Sequence, residues 1–224
     1  MEKKESLELN IERLLTIWGL IVVVWSVLRA NFPPPLWFSE FIAKPLVFIG
    51  PVLWFVSRHE KTGSLLSHIG FPKKDVLKEF GLSLLLLFFV VLMGFLSLFL
   101  SKELKFGGFA VFNFAKLGSI LSLAFASSIS EEILGRGFLF NYLYKYTKSF
   151  VMSLFVSSAL FFILYLPNAL TMGISGYDLF INLLLNFSLS FITATAFFLR
   201  KNIFAPIAIH ASILLWFDLF LGGM

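Results

Sequence analysis

The chain has 224 residues, 58% hydrophobic and only 14% charged, with a mean hydropathy of +0.91. A soluble domain carries about 25% charge, so this composition excludes an ordinary soluble protein. The net charge of +5 comes without a basic patch interleaved with aromatics, which excludes a nucleic-acid-binding surface, and the absence of cysteine excludes disulfides and thiol chemistry.

Apolar runs reach the roughly 20 residues that a helix needs to cross a bilayer, and they do not alternate as barrel strands would. The fold class is therefore all-α, a polytopic transmembrane helix bundle. Hydropathy places seven spans at 14–30, 36–57, 80–100, 117–145, 149–166, 178–199 and 203–221. The leader MEKKESLELNIER is charged and partly amphipathic. The first apolar run lacks a small-residue cleavage site, so it reads as a retained span. The second span contains Pro45 and Pro51 together with Glu40 and Lys44, which predicts a kinked or partly interfacial helix. Residues 57–80 are the most polar stretch and read as a loop with a short surface helix. His59 and His68 fall there and are expected to be solvated. Residues 107–114 read as a loop or a re-entrant segment, which leaves the count at seven or eight spans. No repeat, low-complexity tail or linker divides the chain.

Lysine and arginine are distributed unevenly. Lys3, Lys4, Arg13, Arg58, Lys61, Lys73, Lys74, Lys78, Arg136, Lys145, Lys148, Arg200 and Lys201 fall on one side of a seven-span arrangement. Arg29, Lys102, Lys105 and Lys116 fall on the other, a ratio of 13 to four. The positive-inside rule then predicts an integral, multi-pass membrane protein with a cytoplasmic N-terminus and an external C-terminus.

Span four carries the stretch SSISEEILGRG, residues 127–137. Glu131 lies 15 residues past Lys116 and 14 before Lys145, about 21 Å from either end of a continuous helix. A carboxylate at that depth must face the bundle interior or a water-filled cavity. Ser127 and Ser128, one turn earlier, give that face a polar strip. Glu132 and Arg136 are i and i+4, so they pair along the helix either as a structural ion pair or as part of a site. Glu131 has no such partner on its own helix. That makes it a candidate base, metal ligand or proton relay. His210, inside span seven, is the other intramembrane group suited to sharing a proton near neutrality. It lies about 13 Å from Lys201 by helical rise, so tilt or a kink at Pro206 is expected to bring it to depth. Asp218 is expected near the outer interface. The zinc-protease pattern HExxH is absent.

Three segments carry a family resemblance. EEILGRG, 131–137, resembles the EExxxR motif of the CPBP family, the membrane-embedded CAAX-processing and bacteriocin-processing (Abi-like) proteases. SSALFFILYLPN, 157–168, is similar to that family's second motif, FxxxH followed by Leu-Pro-Asn. FLRKNIFAPIAIHASILL, 198–215, resembles the third, a charged turn and a proline-containing lead-in to HxxxN. Order and spacing fit over about residues 115–220. The resemblance divides one integrated membrane domain into an N-terminal transmembrane region, 1–114, and a CPBP-like core, 115–224. In the core the last two motifs read FxxxY and HxxxL. Tyr165 stands where the family has its second-motif histidine, and Leu214 where it has asparagine or aspartate.

The resemblance implies an intramembrane endopeptidase in which Glu131 activates water and His210 donates to an oxyanion. Glu132, Arg136 and Tyr165 complete the site. The implied substrate is a membrane-associated or prenylated peptide. The resemblance also admits a divalent metal such as zinc, with Glu131 and His210 as candidate ligands. Two other readings stand beside it: a catalytically degenerate binding or immunity protein that keeps the cavity, and a proton-coupled transporter. Losing an oxyanion donor typically costs ~10²–10³ in rate, so the substitutions at 165 and 214 weigh toward the degenerate reading.

Overall fold

A computed structural model describes residues 2–32, 34–60, 62–100, 114–171, 173 and 175–220. Segment 107–113, with its expected loop or re-entrant turn, lies outside the described residues. Among these described residues eight helices run in chain order: α1 (Glu2–Asn31), α2 (Leu36–His59), α3 (Leu65–His68), α4 (Val76–Leu100), α5 (114–147), α6 (Phe150–Thr171), α7 (Gly176–Arg200) and α8 (Phe204–Phe220). Among the described residues there is no strand. Among the described residues six helices are long and apolar enough to cross a membrane, and α8 contributes a shorter apolar helix over Phe204–Asp218. The expected polytopic bundle is what the chain forms.

Local chemistry sets the breaks. In α2, Pro45 has no N–H to give to the helical ladder, and the backbone answers with two wide π-turns, Ser39–Ala43 and Pro45–Ile49. Lys44 sits at their junction. The expected kink is thus a widened segment, and it turns Glu40 and Lys44 inward, both buried, rather than toward the interface. The middle of α5, Ile133–Phe140, is also π-helical and fully buried. Lys148 and Lys201, both in the left-handed region, end α5 and α7. Pro167 lies inside α6, which runs past the expected end of that span. Pro206 causes no kink. It occupies the first turn of α8, where a missing N–H leaves no hydrogen bond unmade.

Helix α8 packs along α4, α5 and α7, while α6 packs on α7 and α5. The main core joins α1, α2, α5 and α6 through Leu14, Ile21, Phe48, Phe55, Leu134, Phe138 and Phe161. The outward faces remain apolar, as at Leu85, Phe88, Val151, Phe180 and Leu199. Exposed side chains of this kind face acyl chains in a membrane.

The polar segment 57–80 meets the α5–α6 and α7–α8 turns at one end of the bundle. Lys145 pairs with Glu60. Asn141 Nδ2 donates to His68 O at 2.8 Å, and Ile203 N–H donates to Gly70 O at 2.8 Å. Arg200 and Asn202 both bond Glu79 Oε2 at 2.7 Å. Asn202 Oδ1 in turn accepts the Phe204 N–H at 3.1 Å and starts α8. Three of the lysine- and arginine-rich segments therefore share one face. His59 and His68 are half-buried rather than solvated. His59 Nδ1 lies 2.9 Å from Phe55 O, and His68 Nε2 lies 2.6 Å from Thr62 O.

Candidate active site

The stretch EEILGRG builds the site from α5 outward. Gly135 and Gly137 flank Arg136, and both positions need the absence of a side chain. A Cβ at 135 would meet the Phe161 ring of α6 at 3.0 Å. A Cβ at 137 would meet Ile69 O at 2.6 Å. Phe161, drawn in by Gly135, lies under Arg136, with the guanidinium 4.4 Å from the ring centroid. Arg136 Nε is 3.0 Å from Glu132 Oε2, so the expected i,i+4 ion pair exists. Its nitrogens have no hydrogen bond in good geometry among the described residues. Charge and ring stacking hold this arginine, not a forked carboxylate contact.

Glu132 also meets α8, its Oε1 lying 2.7 Å from His210 Nδ1. The other ring nitrogen, Nε2, is 3.6 Å from Glu131 Oε2. His210 therefore bridges the two carboxylates, and the depth it was expected to need is reached without a proline kink. The Tyr165 hydroxyl of α6 donates to Glu131 Oε2. Three helices thus bring Glu131, Glu132, Arg136, Tyr165 and His210 together. Leu214, one turn beyond His210, is half-buried and supplies no polar atom.

Glu131 is not unpartnered. Lys44 Nζ from α2 lies 2.7 Å from Glu131 Oε1, and Ser127 Oγ lies 3.1 Å from the same oxygen. Lys44 reaches Ser127 Oγ at 2.7 Å and Glu40 Oε2 at 2.6 Å as well. In the sequence, Glu40 and Lys44 read only as charges in a kinked or partly interfacial second span. The available signal was their i,i+4 spacing within an apolar run, because ionisable residues at membrane depth are functional candidates by default.

The cluster is closed. Glu131 is 4% exposed, Glu132 0%, His210 1% and Lys44 9%. A cleft of about 360 Å³ opens instead at the polar end of the bundle, lined by Glu60, Ser67, His68, Asn141, Tyr142 and Lys145 among others. Zinc requires three or four ligands at 2.0–2.3 Å. Among the described residues no group of three or more His, Cys, Asp or Glu is placed to hold a metal. Both His210 nitrogens face carboxylates, and the Lys44 ammonium stands against Glu131 Oε1. As arranged, these residues do not fit a divalent ion.

Residues 112–216 match the model of a family described as type II CAAX prenyl endopeptidase, Rce1-like. The matched segment, just under half of the chain, is similar to the CPBP proteases. No curated protein and no solved structure matches the chain. The Rce1-like segment contains Glu131, Glu132, Arg136, Tyr165 and His210, whereas Lys44 and Glu40 lie outside it. The matched segment is thus similar to CAAX-type intramembrane proteases, and α2, from outside it, contributes to the polar cluster.

Proposed function

We propose that the chain is an intramembrane endopeptidase that cleaves a peptide bond of a membrane-associated or prenylated substrate with water activated by Glu131. The observation that carries this reading is the convergence of Glu131, His210 and the Tyr165 hydroxyl from α5, α8 and α6. Glu131 Oε2 faces both partners, so a water arriving there finds a base, the Tyr165 O–H and, when His210 carries protons on both ring nitrogens, its Nε2–H as a second donor. Water gives a proton to Glu131 as its oxygen adds to the scissile carbonyl. Tyr165 O–H releases Glu131 and, with His210, donates to the oxyanion that forms. Collapse breaks the C–N bond, and the proton held by Glu131 passes to the leaving amine. Lys44 and Ser127 hold the other oxygen of Glu131 in place. Glu132 orients His210 through Nδ1, and Arg136 balances Glu132.

One set of observations favours a second reading, a binding protein that keeps the scaffold without the chemistry. Both oxygens of Glu131 are already engaged, the cluster is shut, and Leu214 replaces a polar group. Cleavage of a prenylated and an unprenylated peptide by purified protein, with Glu131→Gln as control, separates the two. Turnover lost in the variant supports the peptidase. Folded wild-type protein that binds the prenylated peptide and leaves it intact supports the binding protein.

A further inference from the structure

We infer that Lys44 is the resident cation of the Glu131 site and occupies the place that a divalent metal would take. This goes beyond the peptidase reading and does not depend on it. An ammonium has three N–H donors and no acceptor. Lys44 Nζ has three acceptors within reach: Glu40 Oε2 at 2.6 Å, Glu131 Oε1 at 2.7 Å and Ser127 Oγ at 2.7 Å. Two hydrogen bonds, to Glu131 and Ser127, and an ion pair with Glu40 surround the ammonium with two carboxylates and a hydroxyl, oxygen groups of the kind a hard cation selects. The three acceptors come from two helices. Glu40 lies one turn before Lys44 on the π-helical part of α2, and Ser127 and Glu131 lie one turn apart on α5.

The arrangement is closed to exchange. Lys44 is 9% exposed and Glu40 7%. A covalently tethered cation cannot be lost to a chelator, and it leaves no open face on Glu131 Oε1 for a metal. Removing it alone would leave two buried carboxylates directed at one vacated point. Like charges so placed are costly unless a cation enters.

Cobalt(II) titration of purified, chelator-treated protein in detergent tests this, read by visible absorption and by the shift in melting temperature. Wild type is expected to give no bound-cobalt spectrum and no melting shift. Lys44→Ala is expected to gain a stoichiometric cobalt site at least tenfold tighter than any wild-type binding, and Lys44→Ala with Glu131→Gln to lose it. Wild-type protein that binds one equivalent of cobalt, with binding abolished by Glu131→Gln, overturns the inference. A folded Lys44→Ala that gains nothing also overturns it. If Lys44→Ala does not fold, the wild-type titration decides alone: no binding supports the inference, and Glu131-dependent binding overturns it.

Discussion

Lys44 Nζ and Glu131 Oε1 lie 2.7 Å apart, joining α2 to α5 across 87 positions of sequence inside the apolar bundle. A buried pair of this kind is costly to break from one side, because the remaining charge has no solvent to turn to. Lys44→Met strands both Glu40 and Glu131. The expected loss is ~3–5 kcal/mol of stability, seen as lower expression and a lower melting temperature in detergent. Adding Glu40→Gln should recover part of it. Wild-type melting of Lys44→Met would mean that water reaches the pair.

Arg136 poses a similar question with a different geometry. Its pair with Glu132 is 3.0 Å long and is backed by the Phe161 ring. Arg136→Ala should also cost ~3–5 kcal/mol, with only partial rescue by Glu132→Gln, since that change weakens the contact to His210 Nδ1. Arg136→Lys should fall between, because it keeps the charge and loses the planar stacking. Thermal melting of the four proteins gives the order. Equal melting of Arg136→Lys and wild type would remove the ring contact from the account.

Much of this was legible in the sequence. Composition and span length gave the helical bundle, since few other folds satisfy backbone groups in lipid. The depth of Glu131 predicted an inward carboxylate, and i,i+4 spacing predicted the Glu132–Arg136 pair. The Lys44–Glu131 contact was not legible, because pairing between helices depends on rotation about each axis. In α2 that rotation is set by two π-turns, and a pattern counted at 3.6 residues per turn loses phase there. The half-burial of His59 and His68 escaped for a related reason. A polar segment reads as solvated until the α5 end that covers it is placed.

Three of the basic segments meet at one end of the bundle, which agrees with assigning them to a single side. Combined with the 13 to four charge ratio, this predicts a cytoplasmic N-terminus and polar loop. The chain has no cysteine, so single-cysteine labelling is clean. Lys74→Cys, at an exposed position, should react with a membrane-impermeant maleimide only after the cells are opened. Labelling of intact cells would reverse the topology.

Burial pushes the Glu60 carboxyl up, but the hydrogen bond and charge of Lys145 outweigh it and hold Glu60 below its ordinary value. A lowered acid stabilises the folded state above its unfolded pKa, about 4.3 for glutamate. That contribution fades as pH falls through the lowered folded-state value. Glu60→Gln should therefore lower the melting temperature at pH 6 and show a smaller acid-induced loss than wild type below pH 4. Parallel pH–melting curves for the two proteins would contradict the pairing.

Tyr165 and Leu214 are the two positions where the site departs from the motifs that the sequence resembles. If the scaffold retains the reacting geometry, Tyr165→His with Leu214→Asn supplies a stronger base and an added oxyanion donor. Each change of this kind is typically worth ~10²–10³ in rate or more, though not additively. The double variant should cleave prenylated peptide at least tenfold faster than wild type, measured by product release. A folded double variant no faster than wild type would mean that these side chains do not face the reacting bond.

The most direct test is turnover of a prenylated peptide by purified wild-type protein in lipid vesicles, beside Glu131→Gln. Glu131→Gln keeps the shape of the side chain and removes its charge, and its folding is checked by melting. The account predicts cleavage by wild type and none by the folded variant. Equal cleavage by both, or none by wild type and none by the Tyr165→His, Leu214→Asn double variant while all remain folded, would contradict it.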